Sequence, residues 1–451
     1  MSEAKPTNRA PAAPAAALRA SLPEGTIPVA VALLIAGVAT YAFFKVGTKA
    51  VGKDEFKPLT ALWFATFALA PGFFLPLEQE LGRAIGHRRD LGQGGGPVVT
   101  KVVRLGLLLG GVVALVILAS SPFIARGYFD DNWVMVGALV LAFASYAPMH
   151  LARGICAGSG RFRAYAIVMG SDGIVRISLC LFFLGLGITA VGAYGFAIAV
   201  SPLVGIGIIW SRGSLRTEPG PPATWAEVTP NLGWLLIGSV FAAGLLNAGP
   251  IITGLLAPDT EQARIQVVDF GYGVLLARIP LFMFQAVQAA LLPRLSRLAA
   301  SGNYAEFRAG LKRLMVLVGA VGVVGSVGAL GLGPFVLERV YDGARLSGTT
   351  LAMLAAGSAG YMVALALAQA VIALKGHAFV AMGWLLATVG LLLGTWLGSD
   401  DVFRRVEIGL LVSSLTAITY FGLVLRQRLT SGVRPDNDSV LEAITDMPLE
   451  A

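Results

Sequence analysis

The chain has 451 residues, of which 56% are hydrophobic and 13% charged, with a mean hydropathy of +0.75. Soluble domains average about 25% charged residues, so this composition excludes a soluble globule and implies a polytopic membrane protein. The formal charge of +8 is informative only through where it sits along the chain.

Residues 1–24 are rich in Ala and Pro, cannot bury apolar surface, and are expected to form a disordered tail. The first apolar run starts near Thr26 without a convincing small-residue cleavage site and is expected to be retained as a span. Twelve runs approach the ~20 residues needed to cross a bilayer, at about 26–44, 58–78, 102–125, 133–152, 164–186, 190–211, 231–256, 266–292, 313–337, 349–373, 377–397 and 406–426. The fold class expected is therefore all-α, a membrane protein of about twelve transmembrane helices. The longest internal polar stretch follows Ser211 and divides the runs six and six. It yields an N-terminal six-helix bundle over residues 25–211, a cytoplasmic linker over 212–230, a C-terminal six-helix bundle over 231–430, and a disordered acidic tail over 431–451. Gln79 and Arg83 at the end of the second run align with Gln288 and Arg294 at the end of the eighth. This spacing favours two bundles of one orientation, related by an axis along the membrane normal.

Of the 34 Lys and Arg residues, twenty-two fall in one alternate set of connections and ten in the other. Cytoplasmic loops carry the excess, so both termini are expected in the cytoplasm. Arg176 and Arg278 are the two left inside spans.

Arg278 interrupts the apolar run from Val274 to Leu292. An arginine at helix centre costs about 2.5–3.5 kcal/mol on insertion scales, so it is expected to face a protein interior or wet cavity, as a ligand group or as one partner of a structural pair. Pro280 loosens the helix beside it. Asp269, nine residues earlier, falls on the opposite face of an ideal helix, so any partner comes from elsewhere. Asp172 and Arg176 sit at i and i+4, acid before base, and read as an inward salt bridge or as a proton or substrate site. Glu78, Glu80 and Arg83 end the second run, where headgroups and water are expected to reach them as a gate or solvated rim. Lys45, Lys49, Lys53 and Lys57 recur every four residues and read as one basic stripe on a continued first helix, solvated or attracting an anionic headgroup at the external mouth. His150 and Arg153 close the fourth run and read as interfacial.

The three histidines are scattered without ligand spacing, and Cys156 and Cys180 lie in apolar runs. No metal, cofactor or nucleic-acid partner is expected. Without a Ser-His-Asp set or a phosphate-binding loop, the chain reads as a non-enzyme.

Three stretches carry a family resemblance: P-L-E-Q-E-L-G-R at Pro76–Arg83, R-G-I-C-A-G-S-G-R-F-R-A-Y at Arg153–Tyr165, and A-R-I-P-L-F-M-F-Q-A-V-Q-A-A-L-L-P-R-L-S at Ala277–Ser296. With them the chain resembles the multidrug/oligosaccharidyl-lipid/polysaccharide (MOP) exporter superfamily, in its polysaccharide and lipid-linked oligosaccharide flippase branch. The resemblance implies two six-helix bundles forming a V around a central cavity that alternates between inward and outward openings. It implies a monomeric flippase in the cell inner (plasma) membrane, serving cell-surface polysaccharide biosynthesis alongside polysaccharide assembly proteins. Its cargo would be a polyprenyl-diphosphate-linked oligosaccharide, held by Arg278 with Arg176 and Gln288 as further substrate-binding candidates, in contact with membrane lipids. Gating or ion coupling would fall to Asp172, Asp269, Glu78, Glu80 and Arg83. The lipid-II members carry arginines in the apolar part of the first helix and this chain does not, so another polyprenyl-diphosphate cargo fits better. The alternatives are a multidrug or small-molecule exporter of the MOP or major-facilitator type and, from another class, a membrane polysaccharide polymerase or ligase. Gly82–Arg89 only faintly echoes the major-facilitator loop pattern.

Overall fold

A computed structural model describes residues 26–229, 232–281, 301–341 and 343–430, together with Phe284, Leu295, Leu298 and Ala299. The expected terminal tails, Gln288, Arg294 and Arg297 lie outside the described residues. Every regular element described is helical, as the apolar runs predict: α1 Thr26–Val51, α2 Lys57–Asp90, α3 Gly96–Ala119, α4 Ser121–Tyr128, α5 Trp133–Gly158, α6 Phe162–Gly185 and α7 Val191–Ser211. Then follow α8 Trp225–Val228, α9 Leu232–Leu256, α10 Glu261–Ala277, α11 Tyr304–Val340, α12 Gly348–Ala373, α13 His377–Leu397 and α14 Val402–Thr430.

Eleven of these stretches are long and apolar enough to cross a membrane. The one expected span not among them, the eighth at 266–292, appears as α10, which is capped at Arg278 after 17 residues. Asp269 in its middle pairs with Lys53, while Arg308 at the far end of the connection donates to the Leu429 carbonyl at the end of α14. Asp269 and Arg308 therefore lie toward opposite ends of the bundle. We call the end of the bundle holding Thr430 and the start of α1 the terminal side, and the opposite end the distal side. The helices outrun their apolar cores: α2 continues twelve residues past the expected end at 78, and its 34 residues span ~51 Å. Nothing in its last turns breaks a helix, so the polar composition ends the apolar run without ending the helix.

The two halves repeat one packing scheme. In the first, α1 packs on α6, α2 on α5, α3 on α5, α5 on α7 and α6 on α7. In the second, α9 packs on α13, α10 on α12, α11 on α12, α12 on α14 and α13 on α14. The halves meet where α2 lies along α9 and where α1 side chains reach α10. Lipid offers no hydrophobic drive between helices, so close approach depends on small residues. The α2–α5 contact illustrates this: a Cβ on Gly158 would sit 2.7 Å from the Gly82 carbonyl, and one on Gly154 would sit 2.8 Å from the Glu78 carbonyl. Gly158→Leu is expected to force these helices apart and cost about 1–3 kcal/mol. A fall in the thermal midpoint in detergent would register it, with Gly137→Leu, where a Cβ meets open space, left unchanged as the control.

The stretch read as the linker between the halves is strapped to the first half. Arg88 is buried and makes a two-pronged bond to Glu227 (2.5 and 3.0 Å) while donating to the Pro221 carbonyl (2.8 Å). Arg161 holds the Ser214 and Arg216 carbonyls, and Lys101 lies 4.4 Å from the Trp225 ring centre.

Candidate functional site

The helix break at Arg278 has a local cause. Pro280 has no N–H to return to the Leu276 carbonyl, and the Arg278 amide tightens onto the Leu275 carbonyl at 3.2 Å. The break leaves Arg278 at the junction of the halves, only 6% exposed. Its Nη1 donates to Asn247 Oδ1 (3.1 Å) and its Nη2 to the Leu246 carbonyl, both on α9. Asn247 is oriented by its own amide nitrogen, which donates to the Ala243 carbonyl (2.9 Å) and to the Phe67 carbonyl of α2 (3.2 Å). The oxygen is therefore turned to the guanidinium. Phe64 of α2 offers its ring 5.5 Å away, and Tyr41 of α1 donates to the Leu275 carbonyl (2.8 Å). Among the described residues no carboxylate pairs with Arg278; its hydrogen-bond partners are neutral and lie in the second half. It lines a cavity of about 40 Å³ shared with Tyr361, Ser358, Ser413 and Ser414. That volume holds water molecules and is too small for a diphosphate.

The expected Asp172–Arg176 pair forms inside the first half, at 3.1 Å. Ser201 donates to Asp172 (2.5 Å), and Tyr146 lies 3.4 Å from both partners. The Arg176 guanidinium lies 4.7 Å from the Trp63 ring centre and 5.5 Å from that of Phe67. The α2 aromatics at 63, 64 and 67 thus flank both intramembrane arginines, and the structure does not bring the two into one cavity.

Glu78 and Glu80 depart from the expected solvated rim, because both are 6% exposed. His150 is likewise buried, and Arg153 is half-buried against Glu78 rather than free at an interface, since α5 continues to Gly158. His150 Nδ1 lies 2.7 Å from Glu78 Oε2, and Arg153 Nη2 lies 3.0 Å from Glu78 Oε1. Tyr165 of α6 donates to the same oxygen at 3.0 Å. Arg83 pairs with Glu80 at 2.8 Å and donates to the Glu227 carbonyl, so it holds the strap. His150, Arg153, Tyr165 and Asn247 are the residues that sequence reading undervalued. A polar Asn in the apolar run of α9 and a His and Arg one turn apart in α5 were the available signals.

The lysine stripe does not exist as one helix face. α1 stops at Val51, Gly52 turns the chain with φ 97°, and α2 starts at Lys57. Lys53 pairs with Asp269 (2.6 Å), which also accepts the Arg345 amide, and Lys57 pairs with Asp130 (2.6 Å). Asp269 thus joins the halves on the distal side. Lys45 and Lys49 are exposed. Nearby, the hydrogen bond from Arg264 holds the exposed Asp259 carboxyl below the usual carboxylate range. No three His, Cys, Asp or Glu among the described residues gather as a metal site.

No protein-family model matches the chain. It is 24% identical over 378 residues to the uncharacterized protein Rv3630 of Mycobacterium tuberculosis, covering 80% of this chain and 83% of that one. It is 26% identical over 358 residues to the uncharacterized protein Rv1510 of the same organism, covering 73% and 75%. Among solved structures it is similar to the Vibrio cholerae MATE transporter VcmN, with a TM-score of 0.66, 15% identity, and coverage of 92% of this chain and 98% of that one. Similar too are a multidrug resistance MATE family transporter of the MOP superfamily in its inward-facing conformation (TM-score 0.66, 15% identity, 89% and 98% covered) and in its outward-facing one (0.64, 15%, 90% and 96%). The chain has the two-bundle fold of the MATE transporters.

Proposed function

We propose that this chain is a membrane transporter of the MOP type that moves a polyprenyl-diphosphate-linked oligosaccharide from the cytoplasmic to the external leaflet by alternating access, for cell-surface polysaccharide synthesis. The observation that carries the reading is Arg278: a buried guanidinium at the junction of two repeated bundles, with no carboxylate partner among the described residues. A diphosphate is too costly to pass through hydrocarbon unpaired, and a guanidinium offers forked donors and stays charged at any physiological pH. Its hydrogen bonds lie within the second half, while the first half covers it only with rings. The halves can therefore part without breaking an ion pair at Arg278, which enlarges a cavity now sized for water.

A multidrug exporter is the competing reading that the fold itself favours, since the neighbours are MATE transporters. A buried arginine without a counter-charge repels organic cations, which is why we place the anionic cargo first. Reconstitution in vesicles carrying a fluorescent polyprenyl-diphosphate sugar in one leaflet decides between them. Protein-dependent appearance of unmodified lipid in the other leaflet is expected. Movement of organic cations with the lipid left in place would overturn the proposal, and elongation of the sugar would replace it with a polymerase.

A further inference from the structure

Directly behind Arg278, α10, α11 and α12 enclose a second cavity of about 310 Å³. Leu276 and Ala277, which precede the arginine, and Ile279 and Pro280, which follow it, form its inner wall. Its outer wall on α11 is rich in glycine, and at Gly325 and Gly328 a Cβ would meet open space. The lining on α11 runs from Val321 to Val336, about 22 Å of helix at 1.5 Å per residue. Among the described residues Ser358 is the one with a polar side chain along it, and the same serine lines the Arg278 cavity. The outward residues of α11, among them Val323, Val324 and Val327, are exposed and apolar, as a lipid-facing helix requires.

We infer that this groove holds the hydrocarbon segment of the polyprenyl carrier that adjoins its diphosphate, while Arg278 holds the diphosphate. The inference rests on the function proposed above and adds to it a place for the tail. Two features select this occupant. The groove is long and almost wholly apolar along its described lining, which suits one linear isoprenoid chain with its small methyl branches rather than a sugar. It also abuts a buried cation with no carboxylate partner among the described residues, so anion and hydrocarbon can be joined as they are in a polyprenyl diphosphate. An apolar site of this kind facing a bilayer fills with hydrocarbon, and the adjoining charge selects which lipid enters.

Gly325→Phe and Gly328→Phe fill the groove where there is room for the new side chain, and Val324→Phe on the exposed face of α11 is the control. Each purified variant is titrated with a long-chain polyprenyl-diphosphate sugar and with a short-chain, water-soluble analogue. The expected result is about tenfold weaker binding of the long-chain lipid to the two glycine variants, with the analogue and the control unaffected. Unchanged long-chain binding in both glycine variants, with wild-type transport intact, would overturn the groove alone. Failure of wild type to bind or move either lipid would overturn the parent reading instead. Independently of folding in the variants, a diazirine on the first isoprene units should label the Val321–Val336 stretch of wild-type α11. Equal labelling there by a diazirine phospholipid would make the groove an ordinary lipid contact and also overturn the assignment.

Discussion

Arg278→Ala is expected to abolish movement of lipid-linked sugar and weaken its binding by about 10–100-fold, the loss of roughly 1.5–3 kcal/mol for hydrogen bonds to a charged group. Arg278→Lys keeps the charge and loses the fork, so it should retain partial transport. Thermal stability separates a ligand group from a structural pair. A guanidinium paired with a buried carboxylate would leave that carboxylate stranded on removal, at about 3–5 kcal/mol. Here the partners are Asn247 and the Leu246 carbonyl, so removing the charge also removes its desolvation penalty. Arg278→Met, similar in shape, should be at least as stable as wild type in the absence of lipid. A loss of several kcal/mol with undiminished lipid binding would assign Arg278 to the scaffold.

The spans were legible because a bilayer reads only apolar length, and the same criterion hid what lies beyond. α2 reaches Asp90 because helix formation depends on the absence of breakers, whereas the apolar run ends where Glu78 begins. The cost of burying charge made Arg278, Asp172 and Arg176 visible. Their partners were visible only where they were local: Asp172–Arg176 lies one turn apart, while Glu78–His150 spans 72 residues and depends on the glycine contact between α2 and α5. The four-residue lysine spacing misled because it assumes an unbroken helix, and the turn at Gly52 sends Lys53 to Asp269 of the other half. Nothing in periodicity showed how the halves close. That closure depends on contacts such as Asn247 to the Phe67 carbonyl, which joins chain positions far apart.

The Glu78 cluster should produce the largest stability effect in the molecule and also reveal how transport is driven. Glu78 faces Arg153 at 3.0 Å and His150 at 2.7 Å, the glutamate and histidine buried and the arginine side chain 11% exposed. Glu78→Gln leaves Arg153 without its carboxylate and is expected to cost about 3–5 kcal/mol, as is Arg153→Gln, which strands Glu78. The double variant removes both charges and should recover most of that loss, since a buried ion pair contributes little beyond a neutral hydrogen-bonded replacement. The recovered protein then permits a test that a folding defect would obscure. Asp172 is committed to Arg176 and Ser201, whereas Glu78 also faces a ring nitrogen of His150 across a 2.7 Å contact, a second base with which it can share a proton. A proton can enter the His150–Glu78 contact without dismantling an arginine pair. Transport by wild type in vesicles is therefore expected to accelerate with an imposed pH gradient, and the double variant should transport at a rate indifferent to it. A stable double variant that keeps the full gradient response would reduce Glu78 and Arg153 to a structural pair and leave Asp172 as the carboxylate to examine.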